Sequence, residues 1–211
     1  MQIHESKKNK IWFSADIHFS HTNIVKGVST WENKDGCRNF DTTESMNIDL
    51  VSSINKYVSE DDTFIFLGDW SFDGVNNIHK LRNQLNVKDI IFILGNHDQH
   101  IMKHAELFTL VTPYLEISVG TQKIILSHFP MVSWNRMYRG SWMLHGHCHG
   151  ELFKFEKPSH WYHTNKIMDV GVDVAYKMFG EYKPFSLTEI WYIMNERSFK
   201  PVDGHDKKTR G

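Results

Sequence analysis

Two short motifs, Asp16-Ile17-His18 and His147-Cys148-His149, each set a pair of metal-competent side chains two positions apart. In extended backbone, residues i and i+2 project to the same side, so each triplet is expected to aim two ligand atoms at one point. Asp69 adds a carboxylate, Asn96 an amide oxygen and His128 an imidazole, which makes seven candidate ligands. That exceeds the roughly four to six positions around one transition metal, whereas two ions bridged by one carboxylate would use all of them. Imidazole and carboxylate without thiolate suit Mn, Fe, Zn, Ni or Co, not a Cys-rich structural zinc site or an oxygen-only Ca site.

The composition agrees with that emphasis on histidine. The chain has 211 residues, with 14 His against 2 Cys, and 24 Lys+Arg against 25 Asp+Glu for a net charge of −1. Imidazole is the commonest metal ligand and the commonest acid or base near neutral pH. Near-zero charge argues against a dedicated nucleic-acid surface, which carries a clustered basic excess. Cys37 and Cys148 are too few for a disulfide framework, and the polar start MQIHESKKNK lacks the apolar stretch of a signal peptide. The longest apolar run, Ile90 to Leu94, is far shorter than the ~18 residues of a membrane span. A reducing cytoplasm, free cysteines and no membrane contact are expected.

The elements that must position these residues are short apolar strands ending in polar turns. Ile11 to Ala15 runs into Asp16, Thr63 to Leu67 into Gly68-Asp69, and Ile90 to Leu94 into Gly95-Asn96-His97-Asp98. Such β-branched and aromatic runs read as strands buried on both faces. Between the first two, Asp41 as N-cap with Glu44 three residues on opens a helix carrying Met46, Leu50, Val51, Ile54, Tyr57 and Val58. Ile78, Leu81 and Leu85 mark a shorter helix between the second and third strands. This alternation favours parallel neighbours.

After Pro113, Leu115 to Val119 and Lys123 to Leu126 around Gly120-Thr121 read as a β-hairpin. Leu126-Ser127-His128 and Met143-Leu144-His145-Gly146-His147 again run from apolar residues into histidine. Lys166 to Val174 is expected to be a strand, and Ser186 with Glu189 a capping box opening a helix through Met194. Without repeats or linkers, residues 1–211 read as one domain, with about 196–211 a frayed polar tail. Ligands of open α/β sheets bind beyond the carboxyl ends of the strands, where all of these clusters fall.

Taken in order, Asp16-x-His18, Gly68-Asp69, Gly95-Asn96-His97-Asp98, Ser127-His128 and Gly146-His147-x-His149 resemble the calcineurin-like metallophosphoesterases over roughly residues 11 to 195. The start Asp-x-His-Phe-x-His-x-Asn (Asp16 to Asn23) and the late Val-Gly-Val-Asp (Val170 to Asp173) resemble the small bacterial and phage group within that family. The resemblance implies an α/β fold, a four-layer α/β/β/α sandwich of two facing sheets with helices outside. It also implies that Asp16, His18 and His149 hold one divalent metal and Asn96, His128 and His147 a second, with Asp69 bridging. Mn is the first choice of metal. Family resemblance further makes His97 the general acid toward the leaving alkoxide, in hydrolysis by metal-bound hydroxide without a covalent enzyme intermediate. In the larger family a carboxylate orients this histidine, and the candidate here is Asp73, one residue further along than the family spacing. Asp98 is expected to hold its own loop.

Around this centre, His21 is a candidate substrate-phosphate contact or a cap for the next segment, and Asn23 a substrate contact or a turn residue. Trp134, Arg136, Tyr138 and Arg139 combine cations with rings that could clamp a phosphate and stack a base, Arg139 being the best substrate-binding candidate. Cys148 and Asp173 read as structural, Asp173 tying the late strand near the site. The expected substrate is a small phosphodiester or nucleotide. A nuclease on DNA or RNA would need a basic stripe from Lys26, Lys34, Arg38, Arg136 and Arg139. A phosphomonoesterase, or a non-catalytic scaffold that has lost its metals, are further alternatives. No feature marks an oligomer interface.

Overall fold

A computed structural model describes residues 1–6, 8–154, 161–197 and 200. Its regular elements run Gln2–Ile3 (β1), Ile11–Ser14 (β2), Thr43–Tyr57 (α1), Thr63–Phe66 (β3), Val75–Gln84 (α2), Asp89–Ile93 (β4), Leu110–Thr112 (β5), Tyr114–Val119 (β6), Gln122–Ser127 (β7), Trp142–His145 (β8), Ile167–Asp169 (β9), Val172–Phe179 (α3), Phe185–Ser186 (β10) and Leu187–Glu196 (α4). They build two five-stranded sheets, ordered β10-β2-β3-β4-β5 and β1-β6-β7-β8-β9.

In the first sheet β2, β3, β4 and β5 are parallel, with Ile11 opposite Thr63 and Thr63 opposite Asp89, and β10 closes the edge antiparallel to β2. In the second, β6 and β7 form the expected hairpin, Val119 opposite Gln122 across the Gly120-Thr121 turn, and β8 and β9 follow in parallel.

Alternation along each strand explains the continuous apolar runs. Phe64 and Phe66 of β3 pack outward with Leu50 and Ile54 of α1, while Ile65 and Leu67 face the second sheet. From that sheet Ile124 and Leu126 of β7 and Leu144 of β8 enter the same inter-sheet layer, and Ile125 and Met143 point outward beneath Trp134, Met137 and Tyr162. Each such fully buried apolar side chain contributes about 1.5–3 kcal/mol. The result is the expected sandwich of facing sheets and flanking helices. α1 and α2 cover the first sheet, α4 contributes Ile190 and Met194 to the inter-sheet layer, and loop, turn and the 3-10 turn Met137–Arg139 rather than α-helix carry Trp134, Tyr162 and Met137 over the second sheet.

Two local readings are corrected. The expected strand Lys166 to Val174 stops at Asp169, and after Gly171 the chain becomes α3. α1 is capped by Thr42, whose hydroxyl accepts the Ser45 N–H at 3.1 Å while the Ser45 hydroxyl bonds back, so Thr42 and Ser45 form the box expected of Asp41 and Glu44. The Ser186–Glu189 box of α4 forms as expected. Most of the predicted frayed tail lies outside the described residues.

Candidate metal centre

All seven predicted ligands stand just past strand ends: Asp16 and His18 after β2, Asp69 after β3, Asn96 after β4, His128 after β7, His147 and His149 after β8. The first crossing is stitched between loops, the Asp16 N–H donating to Gly68 O at 2.9 Å and the His18 N–H to Asp69 O at 3.1 Å.

The triplets do not converge through extended backbone. Asp16 (φ 57°), His18 (φ 51°), Asp69 (φ 62°), His147 (φ 71°) and His149 (φ 48°) all occupy the left-handed region. Asp and His tolerate it better than most residues, yet it costs of order 1–3 kcal/mol each. Five such residues converging on one place mark a site whose geometry is held against local preference. Gly68 (φ 91°) shares the constraint, since a Cβ there would lie 2.5 Å from His128 Nδ1.

Two donor groups result. Ligand atoms of Asp16, His18 and His149 lie within 4.8 Å of one another, and His18 Nε2 faces His149 Nε2 at 3.1 Å. Asn96 Oδ1 lies 2.9 Å from both His128 Nε2 and His147 Nδ1. Asp69 Oδ2 reaches toward both groups, 3.7 Å from His18 Nε2 and 3.5 Å from His128 Nε2.

Burial and mutual charge shift the groups of the cluster in opposite directions. Burial raises the Asp16 carboxyl to about 7; Asp169 and Asp69 add to the rise, against His149 and His128. Burial opposes charge on His128 as well, but its bond to Asp69 and the charge of Asp16 raise it to about 9. His18 is held well below its ordinary value, first by burial and then by His149, and among the described residues its buried Nδ1 has no hydrogen-bond partner. Clustered carboxylates, facing imidazole nitrogens and a donor set of N and O without S fit divalent metal ions.

Supporting bonds set which ring nitrogens face inward. A carbonyl only accepts, so Leu67 O at 2.7 Å fixes a hydrogen of His128 on Nδ1 and turns Nε2 toward Asn96 and Asp69. Asp173 Oδ2 likewise fixes a hydrogen on His149 Nδ1 at 2.6 Å. Arg38, 2% exposed, grips Asp173 through Nε and Nη2 at 2.9 Å each and donates from Nη1 to Ile17 O at 2.7 Å. Its Nη2 also donates to Asp16 O. Asp98 accepts the N–H groups of Asp69 (2.7 Å), Trp70 (3.0 Å) and Gly95 (2.7 Å), so it ties the Asp69 loop to its own loop, which carries Asn96.

The remaining candidates divide. His97 is exposed beside Asn96, its backbone N–H donating to Asp69 Oδ1 at 3.0 Å and its ring 4.7 Å from Phe72. Asp73 shares a cavity with His97, and among the described residues no hydrogen bond joins them. His21 precedes the 3-10 turn Thr22–Ile24 without a side-chain cap bond, so the capping alternative is overturned. Its ring stacks on Phe72 at 3.9 Å, 5.6 Å from His18. Asn23 accepts from the N–H and hydroxyl of Thr30 at 3.0 Å each, as a turn residue. Trp134 is buried and donates to Ser141, which removes it from a phosphate clamp. Arg139 is exposed over Tyr138 at 5.1 Å and, among the described residues, is not brought into contact with the seven. Cys148 is a free, half-buried thiol pushed up to about 12 by burial. The basic stripe loses Arg38 to the interior.

Arg38 and Phe72 are the supporting residues that sequence reasoning misplaces or misses. Arg38 meets its partner 135 positions away, and nothing local marks the pairing.

Among the described residues, no helix is long and apolar enough to cross a membrane. An uncharacterised protein of Methanocaldococcus jannaschii is 32% identical over 183 residues, covering 84% of this chain and 87% of that protein. A solved protein of unknown function from Aquifex aeolicus shares the fold at 22% identity, with a TM-score of 0.64 over 88% of this chain and 99% of that one. A model of the calcineurin-like phosphoesterases matches residues 9–186, and with that match the chain belongs to the calcineurin-like phosphoesterase family.

Proposed function

We propose that this chain is a dinuclear metal-dependent phosphoesterase acting on a small phosphodiester or nucleotide, with His97 as general acid. The observation that carries this reading is one carboxylate, Asp69, set between the Asp16–His18–His149 group and the Asn96–His128–His147 group. Two divalent ions there, Mn first and Fe, Zn, Ni or Co as alternatives, would supply water of lowered pKa and positive charge against the phosphate oxygens.

The chain's own residues do the rest. His128 and His149 present Nε2 because Leu67 and Asp173 keep the hydrogens on Nδ1. Asp98 and Arg38 hold the strained loops, so the donors are in place before substrate arrives. His97 is fixed by its backbone to Asp69 while its ring stays exposed, which suits delivery of a proton to the leaving oxygen. His21, beside His18 on the Phe72 ring, is the nearer of the two substrate-binding candidates, and Arg139 is the outer one. A cytoplasmic setting accords with two free cysteines.

Generic phosphomonoester, phosphodiester and cyclic-nucleotide substrates, tried with each of the five metals, test the proposal. His97→Ala should keep both metals and lose rate, most for poor leaving groups. A metal-stripped protein that regains no activity on any of them would favour the scaffold instead.

A further inference from the structure

Resting on that reading, we infer that the cavity beside His97 is the leaving-group subsite, and that it takes an uncharged alcohol of about one ring, such as the sugar of a nucleoside. The cavity is about 210 Å³, walled on one side by the Ser71–Gly74 turn after β3 and on the other by residues 97–101 after β4. Two of its lining residues adjoin the donor cluster: the Phe72 ring lies 4.7 Å from His97 and 5.2 Å from His18. A leaving group that takes its proton from His97 would be accommodated in this space.

The lining chooses the group. Phe72, Ile78 and Ile101 offer apolar surface, and Ser71, Gln99 and His100 offer polar atoms for hydroxyls. Among the described residues, no Lys or Arg lines the cavity. Of its two carboxylates, Asp98 is buried and engaged by three backbone N–H groups, while Asp73 stands exposed. A second phosphate on the leaving group would thus meet the charge of Asp73, and its only side-chain counter-charge on this lining would be the His97 that delivers the proton. The volume is below the roughly 300–1,000 Å³ of sites for drug-sized ligands, which sets the size at about one ring. An internal linkage of a nucleic acid, whose leaving strand carries a further phosphate, fits poorly on both counts.

In the step itself a water oxygen forms a bond to phosphorus as the P–O bond to the alcohol breaks. The electron pair stays on the leaving oxygen, which takes a proton from His97; a proton of the water restores His97, and one water is consumed without redox change.

The test compares kcat/KM, with Mn present, for a dinucleoside monophosphate and for the same compound carrying a phosphate on its leaving nucleoside. Wild type should prefer the uncharged leaving group at least tenfold. Asp73→Asn, tolerated at φ 60°, should narrow that preference about three- to tenfold, the scale of one charge pair across a solvated gap. Gln99→Trp, which fills the cavity from an exposed position, should lower kcat/KM for the dinucleoside at least tenfold relative to a methyl ester of the same nucleotide. Equal rates for charged and uncharged leaving groups, or an unchanged ratio in Gln99→Trp, overturn the subsite.

Nucleoside titration of metal-free, isotope-labelled protein gives a readout independent of turnover. Adenosine or uridine should shift the amides of Phe72, Gln99 and His100, and Gln99→Trp should abolish the shifts; absence of shifts in wild type overturns the inference. Shifts without turnover of any diester would sink the phosphoesterase reading and leave the cavity's ligand standing.

Discussion

Replacing Arg38 by Met should separate what the buried pair does for stability from what it does for the centre. The guanidinium makes two 2.9 Å bonds to Asp173 and donates to the carbonyls of Ile17 and Asp16. Removing it leaves the largely buried Asp173 carboxylate with His149 as its remaining partner, which costs about 3 kcal/mol, and leaves two carbonyls short of a donor at about 1 kcal/mol each. These terms overlap, so the expected loss is about 4 kcal/mol, a large part of a stability of roughly 5–15 kcal/mol.

Arg38→Met with Asp173→Leu removes both charges and should recover most of that stability, because the uncompensated charge is gone. It should not recover metal binding, since His149 then lacks the acceptor that orients its ring. Loss of such an outer partner weakens metal affinity about 10–100-fold. Urea unfolding and Mn titration read the two effects separately. A loss under about 1 kcal/mol in Arg38→Met, or wild-type metal affinity in the double variant, would refute the reasoning.

Other expectations follow from the same geometry. Asp98→Ala should cost about 2–4 kcal/mol and loosen the Asp69 and Asn96 loops together, seen as faster amide exchange at Asp69, Trp70 and Gly95, the three residues whose N–H groups Asp98 holds. Gly68→Ala should cost about 1–3 kcal/mol and displace His128, with His128 ring shifts in NMR as the check; unshifted ring signals would contradict the close approach. Glu189 is drawn upward by its burial but held below its ordinary 4.5 overall by Lys183 and Ser186. A depressed folded pKa means its stabilisation is complete above about pH 4.5 and fades as pH falls through the folded value. Glu189→Gln should therefore cost about 1 kcal/mol near pH 7 and flatten the acid side of a thermal-unfolding profile.

The strand ends were readable because β2, β3 and β4 are buried on both faces, leaving an apolar run broken sharply by Asp16, Gly68 or Gly95. The donors were readable because each stands at such a break. Their backbone was not: i and i+2 converge through left-handed residues, and Asp or His declares no preference strong enough to announce that. Val172 and Val174 have strand propensity, yet the turn at Gly171 starts a helix that brings Asp173 to Arg38 and His149. Arg38 looked like a surface cation because its partners, Asp16, Ile17 and Asp173, come from two other segments. Trp134 looked like a stacking platform because its layer over β7 and β8 is tertiary.

On the proposed reading, Asp69 joins two metal positions. The number of tightly bound Mn ions per chain, measured for wild type, Asn96→Ala and Asp69→Asn, tests it most directly. Two ions in wild type, one tight and one weakened in Asn96→Ala, and both weakened in Asp69→Asn is the predicted pattern. A single ion in wild type, or two ions held at unchanged affinity in Asp69→Asn, would contradict it.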